Sequence, residues 1–382
     1  MSDTVPTPQL RVIPGLEEVP APAWNALAGK QPFLRHEFLS ALEQTGCVGG
    51  ASGWLPHHLS AWSGGKLVGA LPRYAKTHSY GEYVFDWAWA EAYERHGLAY
   101  YPKHLSAIPF SPIPGARLLA ADARVRALLM DRALHDESDF SSLHILFPGE
   151  CEAEEWRSHG CLLRQGVQFH WRNAGYASFE DFLSTLTSAK RGKVRQERRR
   201  VADAGVSLRW KCGLEIVAAD WDFFHRCYIR TYRAHRSTPY LNLEFFKRIG
   251  ETMPAHLMLV IAEREGRPIA AALNLYDDER LYGRYWGATE FVPALHFEAC
   301  YYQAIEFCIA RKLEWMEGGA QGEHKLARGF LPVQTWSAHW LRHPEFADAV
   351  ERFLARESLG VAEYIDELHE RAPFKRDART QS

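Results

Sequence analysis

A chain of 382 residues exceeds the size at which one hydrophobic core usually stops growing, so two domains are expected. Apolar residues make up 47% and charged residues 24%, a globular balance that excludes wholesale disorder. A formal net charge of −2 excludes binding to nucleic acid through overall charge, so any anion site must be local.

The seven cysteines are odd in number and lack CxxC spacing, which indicates neither a disulfide framework nor a structural zinc site. The first ten residues lack the basic and apolar regions of a signal peptide. No window approaches the roughly 18 apolar residues of a membrane span, and a cytoplasmic location is expected.

Those first ten residues, with two prolines, read as a frayed start. Beyond Pro32 the apolar residues Phe33, Phe38, Leu39 and Leu42 mark one helical face, which Gly46 ends. His57 to Trp62 and Leu67 to Tyr74, joined by Ser63-Gly64-Gly65-Lys66, read as a β-hairpin. Tyr80 to Ile108 is crowded with Trp, Tyr and His, and propensity does not decide it. Pro109 to Gly115 is loop, Asp122 to His135 helix and Leu143 to Phe147 strand.

The second half opens with a strand-like run from Cys161 to Trp171. Ser178 caps a helix to Leu186, and Ser188 to Ala204 forms another, ended by Gly205. A strand at Val206 to Lys211 and helices at Trp221 to Tyr232 and Leu243 to Glu251 follow. Leu257 to Ala262, Ile269 to Tyr276 and Leu281 to Gly287 form a β-meander. A helix from Ala294 to Arg311, strands at Leu313 to Glu317 and Val333 to Trp340, and a helix at Glu345 to Arg356 complete the order. The polar tail after Ala372 reads as disordered. Both halves run helix, meander, helix, strand, which predicts an α/β fold with mixed sheets.

Four segments carry candidate chemistry. Lys190 to Arg200 holds seven positive charges and one negative, and Arg191, Arg195 and Arg198 fall on one helical face. With Lys190 they suit a phosphate, because an Arg fork matches its oxygens, although a merely solvated face is the alternative. In His296-Phe297-Glu298-Ala299-Cys300-Tyr301-Tyr302, Glu298 shares a helix side with Tyr301, where a half-buried carboxylate suits a general base. The Gly-rich turn within Trp315 to Gly329, including Gly319, permits close backbone approach, and Lys325 and Arg328 add charge beyond it. Arg230 to Tyr240, with Arg236 and His235, is a polar loop of binding type. The absence of HExxH and GxSxG leaves metalloprotease and α/β-hydrolase readings without support.

Phe33-Leu34-Arg35-His36-Glu37-Phe38-Leu39, Asp86-Trp87-Ala88-Trp89, and Arg284-Tyr285-Trp286-Gly287-Ala288 with Leu295 to Tyr302 together resemble the FemAB-like predicted N-acyltransferases. The resemblance runs from about Phe33 to Arg356. It implies two tandem GNAT-like domains, expected at 1–165 and 166–356, with a C-terminal helix and tail at 357–382. Ser188 to Arg195 is similar to the basic element before the second domain of the peptidoglycan-bridge aminoacyltransferases. No long coiled-coil arm is inserted, and the pyrophosphate loop of acetyl-CoA-binding GNAT enzymes is missing.

The resemblance implies transfer of an acyl or aminoacyl group from acyl-CoA or aminoacyl-tRNA to an amine, with no tightly bound cofactor and no metal. Glu298, Tyr285 and Tyr301 would be catalytic. Lys190, Arg191, Arg195, Arg198, Lys325 and Arg328 would hold donor phosphates, and Arg236, Arg284, Trp286, His296 and Gly319 would meet the substrate. A non-catalytic module that recognises a cell-wall precursor or peptide, and an RNA-binding protein acting through Lys190 to Arg200, are the rival readings.

Overall fold

The computed structural model describes residues 7–136, 138–319 and 322–375. These divide into two compact units. The first takes in the chain up to Gly166 together with Gln334–Ala362, and the second Val167–Val333 with the chain from Glu363.

The first unit contains β1 (Gln9–Ile13), α1 (Ala21–Ala28), α2 (His36–Gln44), β2 (Trp54–Pro56), β3 (His58–Ser63), β4 (Lys66–Leu71), β5 (Tyr74–Lys76), α3 (Trp87–Arg95), β6 (Lys103–Ser106), α4 (Ala123–Leu134), β7 (Ser142–Leu146) and α5 (Glu150–Ser158). The expected hairpin is β3–β4, and β1 joins it in a three-stranded sheet. Strands β2, β5, β6 and β7 form a second sheet in that order. Helix α4 starts where Asp122 accepts the backbone N–H groups of Arg124 and Val125. It buries Val125, Leu129 and Met130 against Leu59, Leu71 and Ile145.

The residues of β8 (Leu162–Arg172) divide between the units. The second unit continues with α6 (Phe179–Thr185), α7 (Ser188–Asp203), β9 (Val206–Cys212), α8 (Ala218–Ala234), α9 (Leu243–Thr252), β10 (Leu257–Arg264), β11 (Arg267–Tyr276) and β12 (Arg280–Ala288). Then α10 (Leu295–Phe297), a π turn (Glu298–Tyr302) and α11 (Gln303–Arg311) run on without a break, followed by β13 (Trp315–Glu317). The strand order is β8-β13-β12-β11-β10-β9. Met258, Val260, Ala272, Leu281 and Met316 lie on one face of this sheet, in the core that holds Tyr302, Ile305 and Cys308 of the helical run and Val194 of α7. On the other face, Tyr285 meets the rings of Tyr228 (5.3 Å) and Phe246 (6.2 Å) from α8 and α9. The α/β class with mixed sheets is as expected.

Three expectations change. Residues Gln9 and Leu10 are not frayed but paired with Trp62 and Ala61, because a hairpin edge takes them up; residues 1–6 lie outside the described residues. β14 (Leu331–Leu341) and α12 (Pro344–Glu370) do not stay with the second half as the 166–356 boundary expects. From Ser337 to Leu341, β14 pairs with β7, and Val350 and Leu354 pack beside Trp89, Tyr93 and Tyr100 in the first unit. α12 runs unbroken past Arg356, and its Leu368 enters the second unit's core. The tail is docked as far as Lys375, since Thr185 and Thr187 pair with Lys375 and Pro373 through the backbone; the remainder, 376–382, lies outside the described residues. Sequence order carries no signal for such an exchange of elements between halves.

Candidate functional site

In the second unit β12 and β13 pair in parallel over three positions only, Arg280↔Trp315, Leu281↔Met316 and Tyr282↔Glu317. There β13 ends, while β12 continues to Ala288. β12 also carries a bulge: Tyr285 faces Leu273 and Gly283 faces Asn274, which leaves Arg284 as the extra residue. The end of β13 opens a slot of about 90 Å³, lined by Ala272, Leu273, Asn274, Gly283 to Trp286, His296, Cys300, Tyr301 and Gly318. Because opposed residues share a face, Leu273 and Tyr285 reach the slot from one side of the sheet and Ala272, Asn274 and Trp286 from the other. Residues of both faces can line one slot only where a strand pair stops.

The π turn sets the wall on the core side. One extra residue in the helical turn changes the angular position of everything after it, a feature frequent at functional sites. Cys300 and Tyr301 thereby reach the slot while Tyr302 stays in the core. The Tyr301 hydroxyl bonds His324 Nε2 at 3.0 Å, and burial pushes its ionisation up, so it stays a neutral phenol. His296 stands edge-on to Trp286 and Tyr301, each 5.5 Å between centroids. Burial, with His324, Arg328 and Lys325 nearby, lowers its pKa to about 4 and keeps it neutral.

Lys325 lies beneath the Gly318–Gly319 turn, 2% exposed. Its Nζ donates to the Gly319 carbonyl at 2.9 Å, and no carboxylate lies within ion-pair distance among the described residues. Burial lowers its pKa to about 8, with Cys300 opposing that shift and Arg284 adding to it. Gly318 has room for little else, because a Cβ there would stand 3.3 Å from Lys325 Cδ and 3.0 Å from the Phe330 ring.

Arg284, Tyr285, Trp286, His296 and Tyr301 therefore gather at one place, with Gly319 and Lys325 adjoining. The other expected residues do not join them. Glu298 lines a separate groove with Arg198, Arg199 and Gln303. Its two oxygens accept from Arg198 at 3.1 and 3.2 Å and from Gln303 at 2.9 Å. Burial raises its pKa against the pull of Arg198, but the carboxylate is engaged and away from the slot, which removes the geometric ground for a general base. Arg198 is consumed in turn, forked between Glu298 and Glu306 and lying over the Phe179 ring.

Arg328, expected at a donor phosphate, is likewise engaged within the protein. It donates to Glu197 (2.6 Å), the Tyr302 hydroxyl (3.1 Å) and the His324 carbonyl (2.6 Å), with its guanidinium 3.5 Å above Phe297. That network fastens the π turn to α7. Arg191 donates to the Leu186 carbonyl and the exposed Arg195 to Glu180; Lys193, Arg199 and Arg200 are also exposed on α7, and Lys190 is half-buried. Arg236 sits exposed just past α8 with a positive φ of 53° and does not line the slot. Ala320 and Gln321 of the Gly-rich stretch lie outside the described residues.

Asn274, Gly283 and Cys300 line the slot without being marked as site residues by the sequence. The bulge and the short parallel pairing that bring them together are properties of register, and only Gly283 within the Tyr282 to Tyr285 run hinted at close approach.

Comparison with solved structures finds FemX at 10% identity, covering 90% of this chain and 100% of that one, with a TM-score of 0.55. L-PGS from Bacillus licheniformis is also 10% identical, covers 89% of this chain and 97% of that one, and gives 0.53. At such identities these likenesses bear on the fold alone. Comparison with curated proteins finds no match. The model of the FemAB-like family, described as peptidoglycan biosynthesis/recognition, matches residues 15–376, and the chain belongs to that family.

Proposed function

We propose that the protein is an N-acyltransferase that moves a small acyl or aminoacyl group from a phosphate-bearing donor to an amine on a peptidoglycan-related acceptor. The observation that carries this reading is the slot with a buried ammonium at its rim. An ammonium kept out of water, with no carboxylate within ion-pair distance among the described residues, is matched to negative charge that arrives with a ligand or develops during reaction. The slot holds several waters' worth of space, enough for a short acyl chain and too little for a fatty one.

In this reading the donor carbonyl lies between Cys300 and Gly318 with its oxygen toward Lys325 Nζ. The amine attacks it directly, without a covalent enzyme intermediate, and most of the acceleration comes from positioning and from Lys325 facing the oxyanion. Tyr301, held by His324, supplies a proton to the leaving atom. The exposed Lys193, Arg199 and Arg200 offer the donor's phosphates a cationic edge. The donor is acyl-CoA or aminoacyl-tRNA, and the family's description favours an acceptor from cell-wall synthesis.

Mass spectrometry of molecules that co-purify with the protein is the first test. A CoA ester or an aminoacylated RNA bound in stoichiometric amount is the expected result. Binding of an amine-bearing precursor that persists without any turnover of either donor would instead support the recognition module.

A further inference from the structure

Glu317 is the last residue of β13 and stands where the sheet opens. Its neighbour Gly318 lines the slot, and its partner Tyr282 precedes slot-lining Gly283. The Glu317 carbonyl lies 3.5 Å from where a Gly283 Cβ would be, so its main chain forms the rim itself. By register its side chain projects from the same face as Tyr282, Leu275, Leu273 and Tyr285, opposite the face of Cys300 and Tyr301. The side chain is 2% exposed. Oε1 accepts from Arg280 at 3.2 Å, whereas Oε2 is buried with no hydrogen-bond partner among the described residues. A buried carboxylate oxygen left bare is expensive, and such an atom needs a ligand to explain it.

We propose that Glu317 is the acceptor's amine site: Oε2 takes the incoming nitrogen from the face opposite Cys300 and receives the proton it sheds. The inference rests on the transfer reading above and assigns its proton acceptor, in place of Glu298. A slot lined from both faces of the sheet separates the reactants, with the acyl group on the Cys300 side and the amine on the Glu317 side. The nitrogen lone pair forms the C–N bond, the carbonyl π pair moves to oxygen, and one N–H proton passes to Oε2. Collapse restores the carbonyl and expels the donor's oxygen or sulfur with its bonding pair; that atom takes the Tyr301 proton, and exchange with water then returns Glu317 and Tyr301 to their starting states. The charged and titratable groups facing Glu317 are Arg280, Tyr282 and Arg284 on β12, Asp277 before it and His170 on β8. Burial raises the Glu317 pKa to about 7 against the attraction of Arg280, so both the ionised and the protonated form are accessible at neutral pH.

Carbon-13 NMR of protein labelled at the glutamate carboxyl tests this, with ethylamine as the probe and tetramethylammonium, which has no N–H, as its control. One carboxyl resonance, lost in both E317Q and E317D, is expected to titrate near neutrality. Ethylamine lowers its midpoint by about one pH unit, as a paired cation does, and tetramethylammonium leaves it in place. E317D keeps a carboxylate for Arg280, so the assignment stands even where E317Q does not fold. A resonance that ignores ethylamine, or the same ethylamine response in E317D spectra from another glutamate, overturns the proposal. An ethylamine response in a protein that transfers from neither donor supports the ammonium site and rejects the transfer reading. Transfer by E317Q at the wild-type rate with an unchanged pH profile overturns the role of Glu317 and leaves the transfer reading intact.

Discussion

Replacing Lys325 by Met is expected to slow acyl transfer about 100- to 1,000-fold, the usual effect of removing one oxyanion donor, while leaving the protein at least as stable at pH 7. The two halves of that result pull apart because the ammonium is buried and, among the described residues, bonds only the Gly319 carbonyl. Its folded pKa of about 8 lies below the ordinary lysine value, since burial disfavours the charged form. Below pH 8 the lysine is charged in both states, so the folded protein bears the whole desolvation penalty. That penalty shrinks as pH rises from about 8 towards the unfolded lysine's own pKa. The thermal advantage of Lys325→Met over wild type should therefore be greatest at neutral pH and fade in alkali. Transfer by the wild type should fall above about pH 8 as the ammonium is lost. Paired melting curves and rate profiles from pH 6 to 10 read both. A variant that is destabilised at pH 7 and fully active would show Lys325 to be a packing residue.

Arg328→Ala is expected to have the opposite character and the largest effect on stability, about 3–5 kcal/mol. Arg328 is 2% exposed and neutralises Glu197, itself 6% exposed, while also serving Tyr302 and the His324 carbonyl. Truncation leaves the buried Glu197 carboxylate with the Tyr302 hydroxyl but without its cation, strips the Tyr302 oxygen of the Arg328 donor, and removes the cation from the Phe297 face. Because these contacts hold the π turn, and His324 in turn bonds Tyr301, transfer should fall together with stability. A double substitution, Arg328→Met with Glu197→Gln, removes both charges and should recover much of the loss, as replacement of a whole buried pair does. Denaturant unfolding of the three proteins measures this. A loss under about 1 kcal/mol in Arg328→Ala would mean that the pair is open to water.

Local signals in the chain were strong where an element is closed by its own residues. Ser178 caps α6, Gly205 follows α7, and the meander of β10 to β12 is evident from its turns. They were silent where an element depends on a distant partner: β1 exists because β3 offers an edge, and β14 pairs with β7 almost two hundred residues earlier in the sequence. The site shows the same division. The family resemblance marks Arg284-Tyr285-Trp286, the residue pattern marks the run from His296, and the structure brings Arg284, Tyr285, Trp286, His296, Cys300 and Tyr301 to one slot. Charge proved a poorer guide than aromatic crowding. Of the cations assigned to phosphate, Arg198 and Arg328 answer carboxylates that lie a hundred or more residues away in sequence, and no spacing rule could reveal those partners. Glu298 and Glu317 differ in the same way, one clamped by Arg198 and Gln303, the other with an oxygen left bare.

The central claim is that chemistry occurs in the slot between β12 and β13 and not in the groove at Glu298. Formation of an amide product, followed by mass spectrometry with acyl-CoA or aminoacyl-tRNA as donor and an amine-bearing peptidoglycan precursor as acceptor, tests it most directly when three proteins are compared. Wild type and Glu298→Gln should both form product, with rates within a few-fold of each other. Cys300→Phe, which fills the slot from its wall, should form none while keeping a cooperative melt. Product from Cys300→Phe at the wild-type rate, or its loss in Glu298→Gln alone, would contradict the claim.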